Sequence, residues 1–165
     1  MYRIGHSRDI HKFGPDRDLV LGGVKIPFDL GLVAHSDGDC LIHAIVESII
    51  GAMGLGDIGK HFPDTDPQYK NYDSKLFLGK VKQMLKDNNY EIVNIDATIM
   101  AEKPMMAPHI PLMKKVIAKE LEVNENQVNI KATRGEGLGF VGEGKGIECD
   151  SIVLIQSTKP LVKKL

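Results

Sequence analysis

Ala34-His-Ser-Asp-Gly-Asp39 runs straight into Cys40-Leu-Ile-His-Ala-Ile-Val-Glu-Ser-Ile-Ile-Gly-Ala-Met53, and this junction decides how the chain is read. The first half is turn chemistry. The second is an apolar run long enough for a mostly buried helix, with Ser36, Asp37 or Asp39 placed to cap it. Upstream, residues from Tyr2 to about His11 read as an extended segment. Leu19-Val-Leu-Gly-Gly-Val-Lys-Ile-Pro27 reads as a glycine-interrupted strand pair or hairpin.

Downstream, Gly54 to Pro67 is rich in Gly, Pro and Asp and longer than a connection requires, which makes it a candidate lid. The spacing of Leu76, Val81, Met84 and Leu85 predicts an amphipathic helix from Ser74 to about Asn88, and alternation from Glu91 to Ala101 predicts a strand. A helix opens near Pro108, with Pro111 in its first turn, where a missing N–H matters little. Gln127 to Thr133 and Ile147 to Ile155 read as strands on either side of a glycine-rich loop from Gly135 to Gly146. The expected architecture is α+β, a mixed four-stranded sheet with helices packed on one face. The uncovered sheet face then calls for a neighbouring subunit.

Composition narrows the function classes. The 165 residues are 42% hydrophobic and 26% charged, as in a globular chain, and fit one domain over residues 1–158 with a basic tail at 159–165. A net charge of −1 offers no basic face for nucleic acid. No stretch approaches the ~20 apolar residues of a membrane helix, and the N-terminus has no apolar leader segment. Cys40 and Cys149 lie outside any C-x-x-C pair, which fits a reducing compartment. The chain reads as a soluble cytoplasmic protein. Its histidines are unevenly spread, with His6, His11, His35, His43 and His61 in the first 61 residues and His109 alone beyond them.

Asp9-Ile-His11 places its polar side chains on one side of a strand, where they can converge on an ion. With His43 they supply one oxygen and two nitrogens, the donor set of a zinc site that keeps its fourth position open. Asp39, His43 and Glu47 recur every four residues, a polar stripe that could orient His43. His35 precedes a helix N-terminus, where free N–H groups draw anions. Gly137-Leu-Gly-Phe-Val-Gly142 satisfies G-x-G-x-x-G but runs into a strand, so it is not a dinucleotide fingerprint. The Gly139-Phe-Val-Gly-Glu-Gly-Lys145 stretch lacks the Ser or Thr of a P-loop. Taken singly, Glu136 could be a solvated carboxylate and Asp57, Asp64 and Asp66 ordinary turn formers.

Together the blocks carry more. Arg3-Ile-Gly-His with Asp9-x-His11, Ala34-His-Ser-Asp-Gly-Asp39, His43-Ala, Leu55-Gly-Asp-Ile-Gly-Lys60, Phe62-Pro-Asp-Thr-Asp-Pro67, Pro108-His-Ile-Pro111, Val128-Asn-Ile-Lys-Ala-Thr133 and Leu138-Gly-Phe140 resemble, in this order, the 2-C-methyl-D-erythritol 2,4-cyclodiphosphate synthase family. The resemblance covers nearly the whole chain. It implies a homotrimer with sites between subunits and zinc on Asp9, His11 and His43. A magnesium or manganese ion would lie near Glu136. The implied reaction is closure of 4-diphosphocytidyl-2-C-methyl-D-erythritol 2-phosphate to the cyclic diphosphate with loss of CMP, in the non-mevalonate route to isoprenoids.

By the same carry-over, Asp9, His11, His35 and Ser36 meet the substrate's phosphates, while Asp57, Ile58, Gly59, Phe62, Pro63, Asp64, Thr65 and Asp66 hold its erythritol portion. Ala101, Met105, Met106, Ala107, Ala132 and Thr133 line the cytosine nucleotide's pocket, with Phe140 also at the substrate. His35, Glu136 and Arg134 form the catalytic set, Arg134 standing where the family tends to have a second threonine and being able to pair with a phosphate. Met105 stands where lysine is usual, and Val141-Gly142-Glu143 where Thr-Gly-Arg is usual. These departures leave a rival from another class: a metal-stabilised trimeric nucleotide- or phosphate-binding protein with weak or no turnover.

Overall fold

The computed structural model describes residues 1–63, 65–69 and 72–159; Asp64 and all of the basic tail beyond Lys159 lie outside the described residues. Strand β1 (Tyr2–Gly14) leads to a hairpin of β2 (Leu19–Leu21) and β3 (Val24–Ile26), then to the short β4 (Gly31–Leu32) and helix α1 (Cys40–Met53). A single turn α2 (Ile58–His61) precedes helix α3 (Lys75–Asp87), strand β5 (Tyr90–Met100) and helix α4 (Ile110–Leu121). Strand β6 (Val128–Thr133), one helical turn α5 (Gly139–Gly142) and strand β7 (Gly146–Ser157) complete the order.

The main sheet is mixed, in the order β4-β1-β7-β5-β6, with only β5 and β6 parallel. It has five strands where four are expected from the sequence. The fifth, β4, pairs Leu32 with Phe13 and Gly31 with Gly14, and so continues β1 past His11. Two residues show no periodicity, which is why the sequence pattern passes over them. The helices do lie on one face. Helix α1 packs on β1 and β7, α3 on α1, α4 and β5, and α4 on β6.

Local chemistry sets the ends of α1. Asp39 accepts a hydrogen bond from the Ile42 amide at 2.9 Å, and Gly54 closes the helix in the left-handed region at φ 75°. Ile45, Ile49, Ile95, Ile99, Val153 and Ile155 are fully buried between helix and sheet. Gly5 lets the two layers approach, since a Cβ there would lie 1.8 Å from the Ser48 carbonyl oxygen. The opposite sheet face is open: Ile4, Ile10 and Ile152 are about half exposed or more beside Arg8, which pairs with Glu148 at 3.0 Å and Asp150 at 3.1 Å. Among the described residues, no helix is long and apolar enough to cross a membrane.

Candidate metal centre and active site

Asp9 and His11 project from β1 toward the helix layer and meet His43 of α1; one donor atom from each lies within 4.8 Å of the others. The hydrogen bonds around them dictate where the lone pairs point. The His11 Nδ1 lies 3.0 Å from the Val33 carbonyl, which can only accept, so Nδ1 carries the proton and Nε2 presents its lone pair in the neutral ring. Ser74 donates its single hydroxyl proton to Asp37 Oδ1 at 2.5 Å. The His43 Nε2, 3.0 Å from the same hydroxyl, must therefore be the donor in that contact. This leaves His43 Nδ1 bare, 3.4 Å from Asp9 Oδ2.

Two imidazole lone pairs thus converge on one carboxylate oxygen. The His11 Nε2 and Asp9 Oδ2 stand 2.8 Å apart, both buried, and neither makes a well-formed hydrogen bond. Acceptors facing acceptors in a buried place are satisfied by a proton or a metal cation between them, and two imidazoles with a carboxylate suit a divalent metal of the zinc type. A proton between His11 Nε2 and Asp9 Oδ2 is the alternative occupant, and the titration behaviour belongs to that protonated pair. Burial opposes the charge on Asp9, but His11 and then His43 beside it outweigh that and hold its carboxyl well below the usual range. Burial also disfavours the His11 cation, yet Asp9 first and the Val33 carbonyl after it raise its pKa.

The polar stripe along α1 divides its labour differently from the sequence expectation. Neither Asp39 nor Glu47 orients His43. Asp39 accepts from the Gly22, Gly23 and Ile42 amides, while Glu47 accepts from the Ser7 hydroxyl at 2.5 Å and the Ile58 amide at 3.4 Å, tying the start of α2 to the sheet. Ser36 and Ser74 orient His43 instead, at 3.1 and 3.0 Å from Nε2. The α1 N-terminus is likewise not open to a phosphate, because the Asp39 carboxylate already occupies it. The exposed His35 stands just before it, between Ala34 and Ser36, whose carbonyls accept from the Arg17 guanidinium.

A cavity of roughly 340 Å³ opens beside the donor cluster. His11, Ala34, His35, Ser36, His43, Ile58, Gly59, Phe62, Tyr69 and Phe77 line it. Asp57, Pro63, Thr65 and Asp66 lie outside its wall. Asp57 caps α2 through the Lys60 amide, and Asp66 accepts from the Gln68 amides. A second cavity of roughly 380 Å³ gathers Ala101 through Ala107 with Ala132, Thr133 and Arg134. The Arg134 Nε is 3.6 Å from Glu102 Oε1, and Glu102 also accepts from the Gly135 amide at 3.0 Å. Glu136 and Phe140 line neither cavity. Glu136 sits exposed in a turn at φ 53°.

The residues that sequence reasoning missed are Val33, Asp37, Ser74, Arg17, Tyr69 and Phe77. Each acts on the site through a contact distant in sequence.

The YgbB family matches residues 2–156, a span that holds all of the main sheet but its last residue, Ser157, together with the donor cluster and both cavities. The chain belongs to the YgbB family. Within it, this YgbB-family chain is 61% identical over 153 residues to the 2-C-methyl-D-erythritol 2,4-cyclodiphosphate synthase of Clostridium novyi, covering 93% of this chain and 98% of that protein. It is 58% identical to the synthase of the same name from Clostridium perfringens, with the same coverage. Among solved structures it is similar to the IspF of Plasmodium falciparum in complex with CDP, at 37% identity and a TM-score of 0.84, covering 96% of this chain and 97% of that one. It is also similar to the bifunctional IspDF of Campylobacter jejuni, at 39% identity and a TM-score of 0.92. That match covers 95% of this chain but 42% of that longer one.

Proposed function

We infer that the chain is a 2-C-methyl-D-erythritol 2,4-cyclodiphosphate synthase of isoprenoid biosynthesis, which releases CMP as the 2-phosphate of its diphosphocytidyl substrate closes on the neighbouring phosphorus. One observation carries the reading: in a chain whose close relatives bear that name, the metal-ligating atoms of Asp9, His11 and His43 converge, with Asp9 Oδ2 and His11 Nε2 lacking a well-formed hydrogen bond, beside a cavity that His11 and His43 line. Zinc held by those three residues, with magnesium or manganese near Glu136, would neutralise the phosphate charge that otherwise keeps the two anions apart.

The protein's own groups do the positioning. His35 and Ser36 meet the phosphates at the cavity mouth, while Ile58, Gly59 and Phe62 shape the place of the erythritol portion, flanked by Asp57, Pro63, Thr65 and Asp66. Asp64 is assigned there by resemblance alone. The Ala101–Ala107 turn and the Ala132–Thr133 edge take the cytidine, and Arg134, turned toward Glu102, stands beside its diphosphate. Holding attacking and leaving oxygens in line is the larger part of the catalysis, since no covalent intermediate is needed. The direct test is CMP release from the diphosphocytidyl substrate by purified, metal-replete protein; a protein that only binds CMP fits the rival binding-protein reading.

Glu136 carries a prediction here. A hard cation with few protein ligands is completed by the substrate's own phosphate oxygens. Glu136→Gln is expected to keep its zinc and lose turnover by about a hundredfold at limiting magnesium. Activity near wild type under that condition excludes the role.

The assembly we propose is a homotrimer. Asp9 pairs with Cys149 and Cys149 with Ile99, so the metal end of β1 and the nucleotide end of β5 lie two strands, about 10 Å, apart toward the same end of the sheet. The two cavities nevertheless share no residue, and Glu136 and Phe140 line neither. Apposing the metal cavity of one chain with the nucleotide cavity of the next joins these parts and covers Ile4, Ile10 and Ile152. Light scattering is expected to give about three times the chain mass, and a monomer mass contradicts it. The proposed location is the cytoplasm.

A further inference from the structure

The wall of the metal cavity opposite His11 and His43 is aromatic, and it is held from behind by one lysine. Phe62, Tyr69 and Tyr72 belong to the segment between α1 and α3, whereas Phe77 belongs to α3 itself. Ring centroids are 4.9 Å apart for Phe62 and Phe77, 5.7 Å for Tyr69 and Phe77, and 4.7 Å for Tyr72 and Phe77. Phe77 in turn meets the His43 ring at 5.9 Å, so the cluster is continuous with the metal donors.

Lys80 lies one turn beyond Phe77, on the same face of α3. Its ammonium stands 5.2 Å from the Tyr69 centroid, 5.6 Å from that of Phe62 and 5.8 Å from that of Tyr72, and its Nζ donates to the Tyr69 hydroxyl at 3.5 Å. A half-buried cation sharing three ring faces is an attraction between helix and loop that no aliphatic side chain reproduces. Its field reaches further along the loop: Asp66, held down first by the Gln68 backbone and side-chain amides, is also stabilised by the charge of Lys80. Among the described residues, the hydrogen bonds that tie this segment to the rest of the chain include the Ile58 amide on Glu47 and the Asp37 amide on the Tyr72 carbonyl, both away from the ring cluster's Phe62 and Tyr69.

We propose that Lys80 is a positioning residue for substrate: it clamps the loop's Phe62 and Tyr69 rings onto α3, and so fixes the cavity wall against which the erythritol portion rests. Lys80 itself does not line the cavity. The proposal rests on the reading that this cavity takes the substrate.

The test compares wild type with Lys80→Met, which keeps most of the side-chain length without charge, and Lys80→Arg, which restores a cation able to stack on rings. Lys80→Met is expected to raise KM for CMP release about tenfold with kcat little changed and zinc content full, the size of effect that fits loss of a partly desolvated cation–π contact. Amide hydrogen exchange over residues 58–69 is expected to quicken about tenfold in the same variant, and Lys80→Arg to return both readings toward wild type. An unchanged KM and unchanged exchange overturn the proposal. So does a variant that loses zinc and kcat together, which marks a general loss of structure. If wild-type protein releases no CMP, the enzymatic reading fails, and the exchange comparison by itself still decides whether Lys80 clamps the loop.

Discussion

Replacing His43 by Ala is expected to remove both the bound metal and the release of CMP. The Nδ1 of His43 is the donor that α1 contributes, and its direction is set by Nε2–H donating to Ser74 while Ser74 donates to Asp37. Without the ring, Asp9 and His11 remain as a two-donor set on a single strand, too few to hold zinc against bulk water. Metal analysis is expected to give about one zinc per chain for wild type and less than about a tenth of that for His43→Ala, with CMP release down by about a thousandfold or more. The fold is expected to persist, because Asp37 still binds Ser74 through its hydroxyl and through its backbone amide at 2.9 Å. A His43→Ala protein carrying full zinc excludes the site.

How far the sequence goes depends on whether a residue acts through its neighbours in the chain. Helix α1 is readable to the residue because capping, the apolar run and a left-handed glycine all sit next to one another from Asp39 to Gly54. The Asp9, His11 and His43 set is readable because strand periodicity puts the first two on one side and the third interrupts an apolar helix. The partners that fix the ligands are not. Val33, Asp37 and Ser74 reach the imidazoles across loops, and nothing in the local pattern of Ser74, which looks like an ordinary helix cap, shows that its hydroxyl serves His43 instead. The misreading of Asp39 and Glu47 has the same origin. Spacing every four residues shows that side chains share a face, but what each one meets there is decided by β1, the β2–β3 hairpin and α2. The second cavity is legible only through the resemblance, since Ala101–Ala107 and Ala132–Arg134 meet by the pairing of β5 with β6.

Asp39 shows what that hidden tertiary role is worth. Its carboxylate is fully buried and accepts three backbone amides, Gly22 at 2.9 Å, Gly23 at 2.7 Å and Ile42 at 2.9 Å. Burial pushes its pKa up to about 6; the Ile42 amide opposes the rise, the charge of Asp37 adds to it, and the two glycine amides resist it. The side chain therefore caps α1 and fastens the β2–β3 turn to it in one stroke. Asp39→Ala removes a helix cap, at about 1–2 kcal/mol, and leaves the buried Gly22 amide and the part-buried Gly23 amide without acceptors, at up to about 1–3 kcal/mol each before any relaxation. Some relaxation follows, since water can reach the turn once the carboxylate is gone. The expected destabilisation is about 3–5 kcal/mol in urea unfolding, a large share of the ~5–15 kcal/mol that holds a domain of this size. Measuring it with and without chelator separates this loss from any weakening of the metal, because a bound ion adds stability to the folded state only. A conservative exchange refines the argument. Asp39→Asn keeps one oxygen but turns an N–H₂ toward an amide donor, so it is expected to fall between wild type and Asp39→Ala. A loss below about 1 kcal/mol for Asp39→Ala means the three amides find water as readily as they find the carboxylate, and the buried clamp is then not what holds the hairpin to the helix.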